Sequence, residues 1–219
     1  MIRGRTYNPG RSHVDWAALM IEPTETESQG QRRSSWAVYV GRMRGGTSRP
    51  AVGRAPLPVV LLAMCAGFIG IFLISIPSLY SALPASTKLF LIGSFGASAV
   101  LLYAAPKSEF AQPRNLLVGQ AIAAAIGVTA YKLFGGHVGV AGGLAVAATI
   151  GIMQITNAVH PPAGATALIA VLGPASVHKL GYLFVLTPVL TGAAILLLVA
   201  IIGNNLSPDE NRHYPLRWW

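Results

Sequence analysis

Among 219 residues the chain has one cysteine, seven carboxylates and no charged side chain between 133 and 178. Each scarcity excludes something. Cys65 stands alone in an apolar run, so no disulfide framework and no thiolate metal cage is available, and it reads as a small packing residue. His137, His160 and His178 are far apart and no acid lies inside the apolar runs, so neither a metal site nor a cofactor is expected. Charged residues make up 11% of the chain, against about 25% in a soluble domain. The hydrophobic share of 53% excludes a disordered chain equally well. No basic stretch followed by an apolar run opens the sequence, so no secretory signal is expected. An Arg- and Ser-rich start leaves a transit peptide open, with Glu22, Glu25 and Glu27 arguing against it.

The charge that is present is lopsided. Sixteen Lys and Arg give a net charge of +9, and residues 1–56 hold nine of the arginines with four acids. This segment has little apolar periodicity and reads as a mostly disordered tail. Its arginines mark the cytoplasmic side and touch anionic membrane lipid. Nucleic acid is not expected as a partner, because no folded basic module accompanies the tail. Residues 207–219 form a second, aromatic and basic tail with Arg212, Tyr214, Arg217, Trp218 and Trp219, suited to the headgroup zone or to docking back on the bundle.

Between the tails, residues 57–206 read as an all-α, polytopic transmembrane bundle. A crossing needs about 20 apolar residues. Runs over 57–76 (ended by Pro77), 89–105, 116–134, 138–156 and 180–203 qualify, the second marginally. Residues 163–172 are too few for a straight span, so the expectation is five clear helices plus one broken or short element.

The chain also resembles itself. GASAVL at 96–101, closed by Pro106, matches GATALI at 164–169, closed by Pro174, with one offset of 68 throughout. Two units of three elements follow, about 57–134 and 138–203. Three crossings per unit would invert the second relative to the first, a plan that puts broken helices and the substrate site near the midplane.

Pro161 and Pro162 interrupt the backbone before the second copy, and a helix can restart at Pro162. Free N–H groups of Ala163, Gly164 and Ala165, the positive helix end and the Thr166 hydroxyl would make an anion site. The first copy offers Ser94, Gly96 and Ser98 for the same purpose. The expected substrate-binding set is Ser94, Gly96, Ser98, Asn157, His160, Pro161, Pro162, Gly164 and Thr166, and no catalytic residue is assigned. Gln154 and Thr156 could line the same cavity. His160 has three readings: a hydrogen bond to the anion, a proton shuttle, or a cap on backbone freed by the prolines. Glycines at 135, 139 and 143, and small residues at 119, 123 and 127, read as close-packing faces, and they suit a homo-oligomer. Arg114 either snorkels to the interface or collects anions at a cavity mouth.

Four blocks in order, GSFGASAVLLYAAP at 93–106, AQPRN at 111–115, HPPAGATAL at 160–168 and NRHYPLRWW at 211–219, resemble the HPP family of integral membrane proteins. The likeness covers about residues 55–219. It implies a small membrane protein usually described with four spans, whose cyanobacterial and plastid members are associated with nitrite transport. Many members carry a His and a Ser where Gln120 and Ala123 stand here. The expected function is a transporter or channel for a small inorganic monovalent anion, nitrite first, with proton coupling through His160 open. The location is a bacterial inner membrane or a plastid membrane. The alternatives are a non-catalytic scaffold and an intramembrane hydrolase with Ser94 or Ser98 as nucleophile and His160 as base.

Overall fold

The computed structural model describes residues 54–80, 93–207, 209 and 212–219. The tail expected over 1–56 therefore lies outside the described residues except for its last three. The described chain is helical, with no strand among the described residues. In order come α1 (Leu57–Tyr80), α2 (Gly93–Ala104), a 3-10 turn (Glu109–Ala111), α3 (Pro113–Phe134), α4 (Val138–Ile155), α5 (Ala163–Leu172), α6 (Ala175–Leu180), a wide π-type turn (Val185–Leu190) and α7 (Thr191–Asn205).

Among the described residues, four segments are long and apolar enough to cross a membrane: Leu57–Ile76, Pro113–Phe134, Val138–Ile155 and Val185–Asn205. These match four of the five expected runs, and the remaining one, 89–105, lies partly outside the described residues. The second run yields only the 12 residues of α2, and residues 89–92 lie outside the described ones. The short α5 keeps the length that its composition suggested. The described residues thus hold four spans and two short apolar helices.

Three boundaries differ from the sequence reading. Pro77 does not end α1, which continues to Tyr80; one missing N–H removes one helical bond, a cost that a membrane helix can carry. The third run starts earlier, at Pro113, because proline suits a first helical position, and Arg114 thus sits on a helix rather than in a loop. The last run is not continuous. Gly181, at φ +53°, turns the chain where a side chain would be strained, and Thr187 (φ −138°, ψ 122°) breaks the helical geometry before Pro188.

Packing divides into two clusters. In one, α1, α2 and α7 meet through large side chains, with Ile74, Phe95, Leu102, Tyr103 and Leu196 buried, and Leu116 and Val128 of α3 and Ala170 of α5 join them. In the other, α3, α4 and α5 meet through Ala123, Ala130, Ala141, Ala145, Ala163 and Ala167. Small residues let these helices approach closely. A Cβ added to Gly127 would stand 2.5 Å from the Ala167 carbonyl oxygen, and one on Gly119 would stand 2.8 Å from Ala158 O. The Gly119, Ala123, Gly127 face is thus a packing face. The other face has no such contact within the chain: Gly139 and Gly143 look into open space, and the three atoms nearest a Cβ on Gly135 all belong to Tyr131.

Candidate functional site

The two matched segments touch. Short helix α2 carries Ser94 and Ser98, short helix α5 carries Thr166, and the turn before α5 carries His160. All four are fully buried. α3 adds Gln120, also fully buried, between them.

These five side chains form one hydrogen-bonded chain. His160 Nδ1 lies 2.9 Å from the Phe110 carbonyl oxygen, which only accepts, so Nδ1 carries a proton. In a neutral imidazole Nε2 is then the acceptor, and Ser98 Oγ donates to it across 2.8 Å. Gln120 Nε2 donates to Ser98 Oγ at 3.2 Å. Thr166 Oγ1 bonds the Gln120 amide oxygen and also lies 2.8 Å from Ser94 Oγ. A threonine has one hydroxyl proton. With that proton on Gln120, the Ser94 hydroxyl donates to Thr166, and every dipole from Ser94 to His160 points the same way.

The backbone around the prolines closes on itself. Pro162 caps α5, and the N–H groups of Ala163, Gly164 and Ala165 bond the carbonyls of His160 (2.9 Å), Pro161 (3.2 Å) and Pro162 (3.1 Å). The expectation that these N–H groups stand free for an anion is thereby corrected: a tight 3-10 first turn consumes them.

The remaining expected site residues scatter. Gly96 lines an apolar groove of about 470 Å³ with Gly67, Ala99 and Tyr103, away from the hydroxyls. Pro161 is exposed, and Gly164 is half-buried beside open space. Asn157, at φ +51°, ends α4, and its carbonyl accepts from Arg114 Nη1 at 2.7 Å. Gln154 is exposed, and the Thr156 hydroxyl is tied back to Ile152 O at 2.7 Å. Neither joins the polar chain.

Sequence reasoning missed Gln120 as a site residue, although an uncharged amide in the apolar run 116–134 was the available signal. It also missed the carbonyl of Phe110 as the partner of His160. The turn bearing that carbonyl is held by the C-terminal segment, which docks on the bundle. Tyr214 Oη donates to Ala111 O at 2.7 Å, and the Asn205 amide clamps the Tyr214 backbone on both sides, at 3.0 and 2.6 Å. Gln112 Oε1 accepts the N–H of Leu216 at 2.8 Å, while its Nε2 donates to Pro106 O and Ser108 O. Arg212 bonds Asn204 Oδ1 and the Tyr103 carbonyl. Burial first, and then neighbouring Tyr103, pushes the Tyr214 phenol above the usual tyrosine range, so it stays a donor.

Ser98 and His160 have the spacing of a nucleophile and its base, with a carbonyl rather than an acid behind the imidazole. Both are fully buried, and Gln120 already occupies the serine oxygen. No group of three or more potential metal-binding side chains occurs among the described residues.

Two curated transmembrane proteins of Dictyostelium discoideum are similar to the chain. One is 43% identical over 157 residues, 70% of this chain and 54% of its own length. The other is 38% identical over 184 residues, 83% of this chain and 57% of its own length. The chain thus spans a little over half of the relatives it matches. No solved structure matches it. Residues 52–215 match the family described as HPP, transmembrane region. Four apolar spans, two short helices meeting at buried hydroxyls, and that match over most of the sequence identify an integral membrane protein that belongs to the HPP family.

Proposed function

We propose that the protein is a transporter for a small monovalent anion, nitrite first among them, and that the Ser94–Thr166–Gln120–Ser98–His160 chain is its central selectivity element. The carrying observation is the chain itself: five polar side chains from three helices and one proline turn, all without exposed surface, within an apolar bundle. Polar groups at membrane depth are expensive and are functional by default. They offer hydroxyl and amide donors, and no carboxylate lies in the described spans to repel an anion. The α5 backbone N–H groups are already bonded, so the anion is held by side-chain donors released from one another.

The same chain supplies a route to proton coupling. Protonated His160 donates from both nitrogens, so Ser98 must turn its proton toward Gln120. The Gln120 amide then flips, its NH₂ faces Thr166, and Thr166 donates to Ser94. Protonation thus reverses every dipole in the chain without moving a helix. The charged groups near His160 on neighbouring elements are Glu109, beside the Phe110 carbonyl, and Arg114, on the carbonyls of Thr156 and Asn157.

One observation favours a second reading. Every member of the chain is already paired, which is what a structural pin between α2, α3 and α5 in a scaffold would show. Nitrite flux into proteoliposomes, with and without a pH gradient, separates the two. The native chain is expected to carry nitrite, and folded His160→Ala is expected to lose most of that flux and its response to the gradient. Absence of nitrite, nitrate, formate and chloride flux from folded native protein would sink the transport reading in favour of the scaffold.

A further inference from the structure

A second polar feature lies beside the proline turn, separate from the buried chain. A cavity of about 90 Å³ is lined by Gln112, Arg114, Asn115, Asn157, Arg217 and Trp219. It brings together the start of α3, the end of α4 and the docked C-terminal segment. Its volume is several times what one water needs.

The Arg114 guanidinium is held in place, and the docked segment brings Arg217 beside it. Arg114 donates from Nη1 to Asn157 O and from Nη2 to Thr156 O, each at 2.7 Å. A cation on the last carbonyls of α4 is electrostatically favourable, so Arg114 is pinned into the cavity wall rather than reaching away to the interface. Arg217 arrives from 103 positions further along the sequence, its backbone N–H 3.4 Å from Gln112 Oε1. Its guanidinium is 3.7 Å from Glu109, an exposed pair that water screens strongly. No Asp or Glu side chain lines the cavity. Two guanidiniums beside one small space favour an anion between them, three neutral carboxamides line the rest, and a guanidinium holds a planar oxyanion through paired N–H donors.

The position adds to the charge. Asn115 Nδ2 donates to Val159 O at 2.8 Å, and Val159 precedes His160. The 157–159 turn therefore links the wall of this cavity to His160 at the end of the buried chain.

We propose that this cavity is a capture site for small planar oxyanions, nitrite or formate, at the mouth leading to His160. The inference deepens the transport reading and rests on it. An anionic lipid headgroup shares the same oxygen chemistry and is the competing occupant.

The test uses the exposed ion pair, whose variants do not threaten the fold. Sodium nitrite is titrated into the full chain in zwitterionic detergent, with melting temperature as readout, and initial nitrite uptake is measured in vesicles with and without phosphatidylglycerol. Losing one charge-assisted contact in Arg217→Gln is expected to raise the half-saturating nitrite concentration roughly tenfold. Glu109→Gln, which frees Arg217, is expected to lower it roughly threefold. Equal half-saturation in native protein and both variants would overturn the capture site while leaving transport standing. So would a shift seen only with phosphatidylglycerol, which assigns the cavity to lipid. Nitrite stabilisation that Arg217→Gln weakens, in protein that shows no flux, would keep the capture site and end the transport reading.

Discussion

The half of the bundle built from α1, α2 and α7 and the half built from α3, α4 and α5 solve the same problem in different ways. In lipid, helices gain little from hiding apolar surface from one another, so close packing and interhelical hydrogen bonds must hold them. The first half fills space with Phe95, Leu102, Tyr103 and Leu196. The second removes side chains until backbones nearly touch, at Gly119 and Gly127. Large side chains can repack around a change, whereas a backbone contact cannot. The polar chain crosses between the halves, from Ser94 and Ser98 of α2 to Gln120 and Thr166 of α3 and α5. Gly119 makes the crossing feasible, because any Cβ there would stand 2.8 Å from the His160 Cβ.

The sharpest way to break this comparison is Gly127→Val. Its Cβ would meet Ala167 O at 2.5 Å and the Ala170 methyl at 2.6 Å, so α3 and α5 must separate. We expect a loss of about 3 kcal/mol or more, at or beyond the upper end of overpacking costs, read as a large drop in melting temperature in detergent. Gly139→Val, which meets nothing within 4 Å, is the control and should melt almost as the native chain does. Leu102→Ala in the other half should cost less than Gly127→Val, about 2 kcal/mol, because lipid removes much of the transfer term and leaves mainly the cavity. Equal losses at Gly127 and Gly139 would show that the small-residue half is not packed by backbone contact.

Gln120→Leu comes next and addresses the seam. It removes the bridge between Ser98 and Thr166 at nearly constant size. Interhelical hydrogen bonds in membranes average about 0.6 kcal/mol, so stability should fall by only about 1 kcal/mol. Nitrite flux and its response to a pH gradient should fall far more, because the chain can no longer reverse. Gln120→Glu should retain part of the flux with an altered pH profile. A variant that melts lower by several kcal/mol and carries nitrite normally would make the chain a pin.

The sequence made much of this legible, and the failures have physical causes. Interrupted backbone at His160, Pro161 and Pro162 is a local property, and the 68-residue match between 96–101 and 164–169 found the partner segment. That Ser98, His160 and Thr166 share one cluster follows from those two signals together. Gln120 was illegible as a partner because nothing within α3 tells which face meets α2. The free N–H groups expected at Ala163, Gly164 and Ala165 were a general property of helix starts; the prolines instead leave carbonyls placed to receive them. Gly139 and Gly143 share a spacing with Gly119 and Gly127, and spacing cannot say which face has a neighbour. Docking of the C-terminal segment depends on the amides of Gln112 and Asn205, each far from its partners or ambiguous alone.

The smallest expected effect tests whether that segment shapes the site or only covers it. Tyr214→Phe removes one hydroxyl, leaving the ring buried and the Asn205 clamp on the backbone intact. Ala111 O loses its donor, at a cost of about 1 kcal/mol. Ala111 follows Phe110, whose carbonyl fixes the proton on His160 Nδ1. If the docked segment holds that carbonyl in register, the variant should melt only slightly lower while the pH dependence of nitrite uptake shifts. If the melt falls slightly and the pH profile stays where it was, the segment is a cover, and the register of His160 is set by α2 and α3 alone.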